Sequence, residues 1–344
     1  MADAQPPWLV GDIGGTNARF ALVEPAAEGK PCQPGLRHMR ALKTADFASL
    51  VEAVRHYLAD CQEHPSRAAL AVAGPVRDED IGLTNSGWSF RRDELAAALD
   101  LHELKVLNDF GAAAMGVSAL GPDDFELLQG GPDEALEDPI SVIGPGTGMG
   151  MALLLRDAHR QWQVVETEGG HASFAPQDAE EHRIHDWLTA RHGRVSIERV
   201  LCGRGLSETH AALTGLSPAR ANTPAGALRA PADIVAAALS GEDDEARAAL
   251  SRFCAILGSV AGDAVLFHGA RTLAMTGGMV PRFPSFLKSS QFSERFQAKG
   301  RFAAYLQSVA VVLVTHPAPG LLGAAVSLAE VHCREPTDFV NRNQ

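Results

Sequence analysis

Three glycine-rich segments carry the residue types that phosphate chemistry uses: Gly11-Asp12-Ile13-Gly14-Gly15-Thr16-Asn17, Gly144-Pro145-Gly146-Thr147-Gly148-Met149-Gly150 and Thr276-Gly277-Gly278-Met279. Each follows a short apolar run, so each reads as a turn leaving a strand. Lacking a side chain, glycine lets backbone N–H groups approach an anion and form a concave cradle. One such turn is equally well a tight hairpin. Three in one chain, each with a threonine hydroxyl, point to a nucleotide site. Asp12 would repel a triphosphate unless a divalent cation lay between them, and Mg²⁺ needs only one or two carboxylates plus substrate phosphates; the alternative is an Asp that caps its own turn.

Asn108-Asp109 stands at a strand end, where ligands gather in open α/β sheets. A carboxylate there could orient an attacking hydroxyl and accept its proton; on the bare residues, Asp109 is also a good N-cap for the Ala-rich stretch Gly111–Ala119, and that reading is preferred. Glu166-Thr167-Glu168-Gly169-Gly170-His171 and, further on, Ser196-Ile197-Glu198-Arg199 offer carboxylates and an imidazole, groups that hydrogen-bond vicinal sugar hydroxyls. Zinc ligation by His171, Glu168 and Glu198 is the rival, discounted because no H-E-x-x-H pattern or cysteine partner accompanies them. There is no G-x-x-x-x-G-K-[ST], no G-x-G-x-x-G and no G-x-S-x-G, which excludes P-loop, Rossmann and serine-hydrolase readings. His182 and His185 read as solvated residues of a helix face.

The elements that must position these groups follow from periodicity. Trp8–Ile13, Ala18–Val23 and Arg37–Leu42 predict an antiparallel meander; Phe47–Cys61 a helix; Ala68–Ala73 a buried strand; Arg91–Leu99 a helix; Leu104–Leu107 a strand. After a loop at Gly121–Pro139 the strand-first order restarts with Ile140–Ile143 and Met149–Leu155. Helices at Asp178–His192, Ala248–Phe267 and Leu321–Val331 and strands at Thr272–Thr276 and Val309–Thr315 follow; Gly215–Pro231 is a loop of no legible purpose. Two α/β units with a boundary near residue 120 suggest a duplicated architecture with a cleft between them.

With 344 residues, 46% of them apolar, and a net charge of −12, the chain is long enough for two cores and has no basic block to attract nucleic acid or anionic lipid. Its five cysteines, Cys32, Cys61, Cys202, Cys254 and Cys333, are scattered without a C-x-x-C pair and read as inert thiols in a reducing compartment. The start MADAQPPWLV lacks a signal-peptide pattern, and uncharged stretches such as Ile140 to Leu155 are broken by glycines and a proline. The expectation is a cytoplasmic, soluble protein.

Six blocks taken together are similar to a known family: LVGDIGGTNARFAL at 9–22, LNDFGAAAMG at 107–116, GPGTGMGMALL at 144–154, EGGHASFAP at 168–176, SIERVLCGRGL at 196–206 and MTGGMV at 275–280. In order and spacing they resemble the bacterial ATP-dependent glucokinases, within the superfamily of sugar kinases, actin and heat-shock ATPases. The resemblance implies an α/β protein of two actin-like (ribonuclease H-like) domains with mixed sheets flanking a central cleft. A small domain at 1–119 would be completed by 318–344, and a large one would span 120–317. It implies D-glucose and ATP as substrates, Mg²⁺ near Asp12 through water, glucose 6-phosphate and ADP as products at the head of glycolysis, and a homodimer. By the same resemblance Asn108, Asp109, Glu168, His171 and Glu198 contact glucose, with Asp109 the catalytic base. Gly11, Asp12, Ile13, Gly14, Gly15 and Thr16, with Gly146, Thr147 and Gly148, serve the ATP phosphates, and Gly277 and Gly278 the adenosine.

Two positions depart from the family's usual GAGTGLG: Pro145 stiffens the turn and supplies no N–H, and Met149 keeps an apolar side chain. The cysteine-rich zinc motif of the related repressor/ORF/kinase group is absent, which assigns the chain to the group without zinc. Kinases for mannose, fructose or an amino sugar, donors such as ADP or polyphosphate, and a sugar-sensing protein without turnover are the competing readings.

Overall fold

The computed structural model describes residues 6–25, 34–74, 76, 79–83, 87–131, 136–222 and 226–332. It divides into two units, one formed by residues 1–122, 156–164 and 316–344 and the other by 123–155 and 165–315.

Unit one runs β1 (Trp8–Ile13), β2 (Asn17–Val23), β3 (Leu36–Lys43), α1 (Leu50–Cys61), β4 (Arg67–Val72), β5 (Asp80–Gly82), β6 (Ser89–Arg91), α2 (Arg92–Ala98), β7 (Glu103–Asn108) and α3 (Asp109–Val117). The sheet order is β3-β2-β1-β4-β7, antiparallel through the β1–β3 meander and parallel from β1 through β4 to β7. Successive side chains of β1 point to opposite faces. Leu9 and Ile13 join a core shared with Tyr57 and Leu95 from α1 and α2, while Trp8 and Val10 join Leu321, Ala324 and Leu328 on the other face. Helix α1 begins at Leu50 rather than near Phe47 because Ser49 caps it: its Oγ accepts from the Glu52 N–H at 3.2 Å, and Glu52 Oε2 accepts from the Ala48 N–H at 2.8 Å. Periodicity does not predict the β5–β6 pair; three residues per strand leave too short a pattern to read.

Unit two, together with residues 156–164, contains β8 (Phe125–Gln129), β9 (Ile140–Pro145), β10 (Met149–Arg156), β11 (Trp162–Thr167), α4 (Ala179–His192), α5 (Ile197–Val200), α6 (Gly203–Leu213), α7 (Pro231–Ser240), α8 (Asp244–His268), β12 (Thr272–Met275), α9 (Pro284–Ser289), α10 (Phe292–Gln297), α11 (Ala303–Ser308) and β13 (Ala310–Val314). Its sheet, β11-β10-β9-β12-β13-β8, is again mixed. The segment expected to be loop at Gly121–Pro139 holds the edge strand β8, antiparallel to β13; its residues are all half-buried, which blurs the alternation that marks a strand. Helix α8 starts at the cap Asp243, ends at Gly269 with φ +59, and threads the core, though Phe267 is 85% exposed. Among the described residues it is the helix long and apolar enough to cross a membrane, and 72% of its apolar window is buried in the protein. Cys202 and Cys254 are buried and Cys61 half-buried; Cys32 and Cys333 lie outside the described residues.

The last helix, α12 (Pro319–His332), returns to unit one and crosses α3. A Cβ on Gly323 would lie 1.7 Å from the Ala112 carbonyl oxygen, and one on Gly116 2.2 Å from that of Pro319. No side chain fits at either contact, so the helices meet backbone to backbone. Gly323→Ala must force α12 and α3 apart and is expected to cost at least about 2 kcal/mol, as severe overpacking does. A variant whose thermal melt coincides with the parent's would refute this.

Candidate active site

In unit one the parallel strands end in register: Ile13 pairs with Val72, and Val72 with Asn108. The Gly14–Thr16 turn and the Asn108-Asp109 pair therefore leave the sheet at one edge, separated by two strand spacings or about 10 Å. The cap of α3 is Asn108, not Asp109: Asn108 Oδ1 accepts from the N–H groups of Phe110 and Gly111, both at 3.0 Å, and its Nδ2 donates to the Gly74 carbonyl at 3.2 Å. With its amide held at both ends, Asn108 fixes the first helical turn. Asp109 opens that turn, half-buried, with Oδ1 accepting from the Phe110 N–H at 2.8 Å.

Asp12 lies directly across the β1–β2 ladder from Arg19, whose guanidinium donates to Asp12 Oδ2 at 3.4 Å. No sequence motif singles out Arg19, although the hairpin register fixed by the Gly14–Thr16 turn puts it opposite Asp12. On the same side, a Cβ at Gly320 in the first turn of α12 would stand 3.3 Å from the Asp12 carboxyl carbon. Burial pushes the Asp12 carboxyl above its ordinary pKa, and Arg19 offsets part of that rise. Within the turn, the Gly14 N–H is taken up by the Asn17 carbonyl at 2.9 Å, and Thr44 holds the Gly15 and Thr16 carbonyls. The amides of Gly15 and Thr16 donate to no described group.

In unit two the glycine turns of β9 and β12 touch. Gly277, at φ +93, lies so close to the first turn that a Cβ would sit 2.8 Å from the Pro145 carbonyl oxygen, and the Thr276 N–H donates to Ile143 at 2.8 Å. Gly146 closes its own turn, donating to the Gly148 carbonyl at 2.8 Å and accepting from the Gly203 N–H at the start of α6 at 2.9 Å. Its amide is thereby occupied within the turn. Thr147, Gly148, Gly277 and Gly278 keep amides that donate to no described group.

Glu168, His171 and Glu198 gather at the start of β10. The Glu168–His171 turn packs on that strand through its glycines: a Cβ on Gly170 would lie 2.1 Å from the Met149 carbonyl oxygen, and one on Gly169 2.6 Å from Met151 Sδ. His171 Nε2 and Glu168 Oε2 are 4.0 Å apart and well exposed. The segments 171–174 and 194–197 are zipped by the Ile197 N–H on Ala172 (2.9 Å), the Phe174 N–H on Val195 (3.1 Å) and the Arg194 guanidinium on the His171 carbonyl (2.7 Å). Glu198 Oε2 accepts from the Met149 N–H at 2.9 Å. Among the described residues no three His, Cys, Asp or Glu side chains stand close enough to hold a metal ion. His182 is exposed; His185 is half-buried, its ring 6.3 Å from that of Phe174. The unread segment after Gly215 walls a cavity of about 500 Å³ that includes His210, Arg220 and Arg229 and none of these site residues; Arg229 is already held by Asp243 at 2.6 Å.

The family model for glucokinase matches residues 9–331. A glucokinase of Chromohalobacter salexigens is 44% identical over 327 residues, covering 94% of this chain and 97% of that protein. One of Stenotrophomonas maltophilia is 40% identical over 347 residues, with 98% and 99% covered. The crystal structure of a glucokinase from an Antarctic psychrotroph superposes with a TM-score of 0.81 at 37% identity, covering 94% of this chain and 99% of that one.

The raised pKa of Asp12 has a measurable sign. A carboxyl that binds its proton more tightly folded than unfolded penalises the fold wherever it is ionised, and the penalty vanishes as pH falls to the unfolded value. Without nucleotide or divalent cation, Asp12→Asn is therefore expected to melt above the parent at pH 8, with the gap closing toward pH 4. A gap that widens in acid would contradict this account.

Proposed function

The chain belongs to the glucokinase family, and from that premise we propose that it transfers the γ-phosphoryl group of ATP to O6 of D-glucose, giving ADP and glucose 6-phosphate. The observation that carries this reading is the placement of Asp12 and Asp109 at one edge of the parallel strands, with a single strand between them. One carboxylate suits the triphosphate and its cation; the other suits the sugar hydroxyl.

Asp109 acts as the general base. Held in the first turn of α3 by the Asn108 cap, its carboxylate orients the O6 hydroxyl and accepts its proton as the phosphoryl group moves in line. Asn108 holds that helix end and contributes to the sugar contacts. Glu168, His171 and Glu198 bind sugar hydroxyls, charge-assisted contacts that distinguish epimers because a mispaired hydroxyl leaves a polar group unsatisfied. The main-chain amides of Gly15, Thr16, Thr147 and Gly148 carry no other hydrogen bond among the described residues and are available to phosphate oxygens. Gly277 and Gly278 line the adenosine side. Asp12 would hold Mg²⁺ through water; a cation there would favour the ionised carboxylate against the desolvation that raises its pKa. When bound, Mg²⁺ would supply positive charge to offset what develops on the phosphates during transfer. The reading extends, by the family resemblance, to a cytoplasmic homodimer at the head of glycolysis, with the dimer testable by sedimentation.

Positioning and electrostatics supply most of the rate in phosphoryl transfer, with general-base assistance worth ~10²–10⁴-fold. Asp109→Asn is expected to lose roughly that much kcat while its glucose affinity, measured by calorimetry, stays within about tenfold of the parent's. In a coupled assay of ADP formation with ATP–Mg²⁺ and a panel of hexoses, glucose is expected to have the highest kcat/KM. Near-normal turnover by the variant would remove Asp109 as base, and a preference for another hexose would replace glucose as substrate.

A further inference from the structure

Gly148 sits in the turn expected to hold phosphate, yet its missing side chain faces something else. A Cβ built there would lie 2.5 Å from Glu198 Oε2 and 3.3 Å from Glu198 Cδ, closer than such atoms approach. The backbone does not demand glycine, because Gly148 is absent from the positive-φ residues of the chain. Gly146, two residues earlier, has no described atom within 4 Å of its would-be Cβ. The conflict at 148 is thus with the flexible end of one side chain, so a methyl there displaces the Glu198 carboxylate and not the backbone. That carboxylate is pinned by the next residue, whose N–H, from Met149, meets the same Oε2 at 2.9 Å.

On the reading that Glu198 binds glucose, we propose that Gly148 is a positioning residue for the sugar: its bare Cα makes the space in which Glu198 reaches the Met149 amide. Oε2 is thereby committed to the main chain, leaving Oε1 as the oxygen for a sugar hydroxyl. A methyl at 148 keeps the amide that a phosphate would use and evicts the carboxylate. The glycine therefore serves the nucleotide through its N–H and the sugar through its absent side chain, so one conformation of this turn presents both substrates' partners.

The test is a split between the two Michaelis constants. Gly148→Ala is expected to raise the KM for glucose at least tenfold, since displacements of about 1 Å cost up to ~10²-fold, while the KM for ATP changes less than threefold. In Glu198→Asp, whose carboxylate is withdrawn by one methylene, adding Gly148→Ala should weaken glucose binding by less than about twofold, the non-additivity expected of residues acting through one contact. A parental glucose KM in Gly148→Ala, a rise in the ATP KM instead, or full additivity on the Glu198→Asp background each overturns the proposal. Should Gly148→Ala fail to fold by circular dichroism, calorimetric glucose affinities of Glu198→Asp with and without it decide: equal values support the proposal and a tenfold loss overturns it. If the parent phosphorylates glucose while Gly148→Ala matches it, the positioning role alone falls; a parent inert toward glucose removes the sugar-binding reading and this inference with it.

Discussion

The two main-chain groups of Met149 are the point on which unit two's candidate site is built. Its N–H meets Glu198 Oε2 at 2.9 Å, and its carbonyl supports the Glu168–His171 turn, whose Gly170 comes so near that no Cβ would fit. A strand end of fixed geometry thereby seats three side chains, two from the Glu168–His171 turn and one from α5. Backbone dipoles locked in a sheet do not relax as a side chain would, which suits groups that must be aligned before a ligand arrives. The residue's side chain is incidental to this, so a methionine at a position where the family commonly has leucine leaves the arrangement intact.

Unit one holds its groups by different means. Asp12 is half-buried against the start of α12 with Arg19 beside it, and Asp109 occupies the first turn of α3, where helix-end amides favour a negative charge. The α3–α12 crossing, closed by glycines on both helices, sets the spacing of the two helix ends that neighbour these carboxylates. A half-buried carboxyl whose pKa is raised by desolvation marks Asp12 as a functional-site candidate.

Much of this was legible in the residues. The Trp8–Ile13 strand, the meander, the Asp178 cap of α4 and the long core helix each announce themselves by periodicity or capping chemistry, and the glycine turns mark the two sheet edges where the site residues emerge. What could not be read has physical reasons. Strand β8 carries half-buried side chains on both faces, and β5 and β6 are too short for a period. Two adjacent polar residues, Asn108 and Asp109, both suit a cap, and only the backbone shows which one takes it. Arg19 and the commitment of Glu198 to Met149 are matters of register and of distance across 49 residues, which no local pattern encodes. The occupied amide of Gly146 is likewise invisible until Gly148 and Gly203 are seen around it.

Helix α12 covers one face of a sheet whose strands all lie in the first 108 residues, and its Gly320 stands against Asp12. On a ribosome, those strands emerge with that face bare and must wait for most of the remaining chain before their cover is translated. Unit two, whose sequence runs inside that interval, can bury its own core first. Asp12 therefore acquires its neighbour Gly320 only after the whole of unit two has been translated, and until then the face that Trp8 and Val10 present has no α12 to cover it.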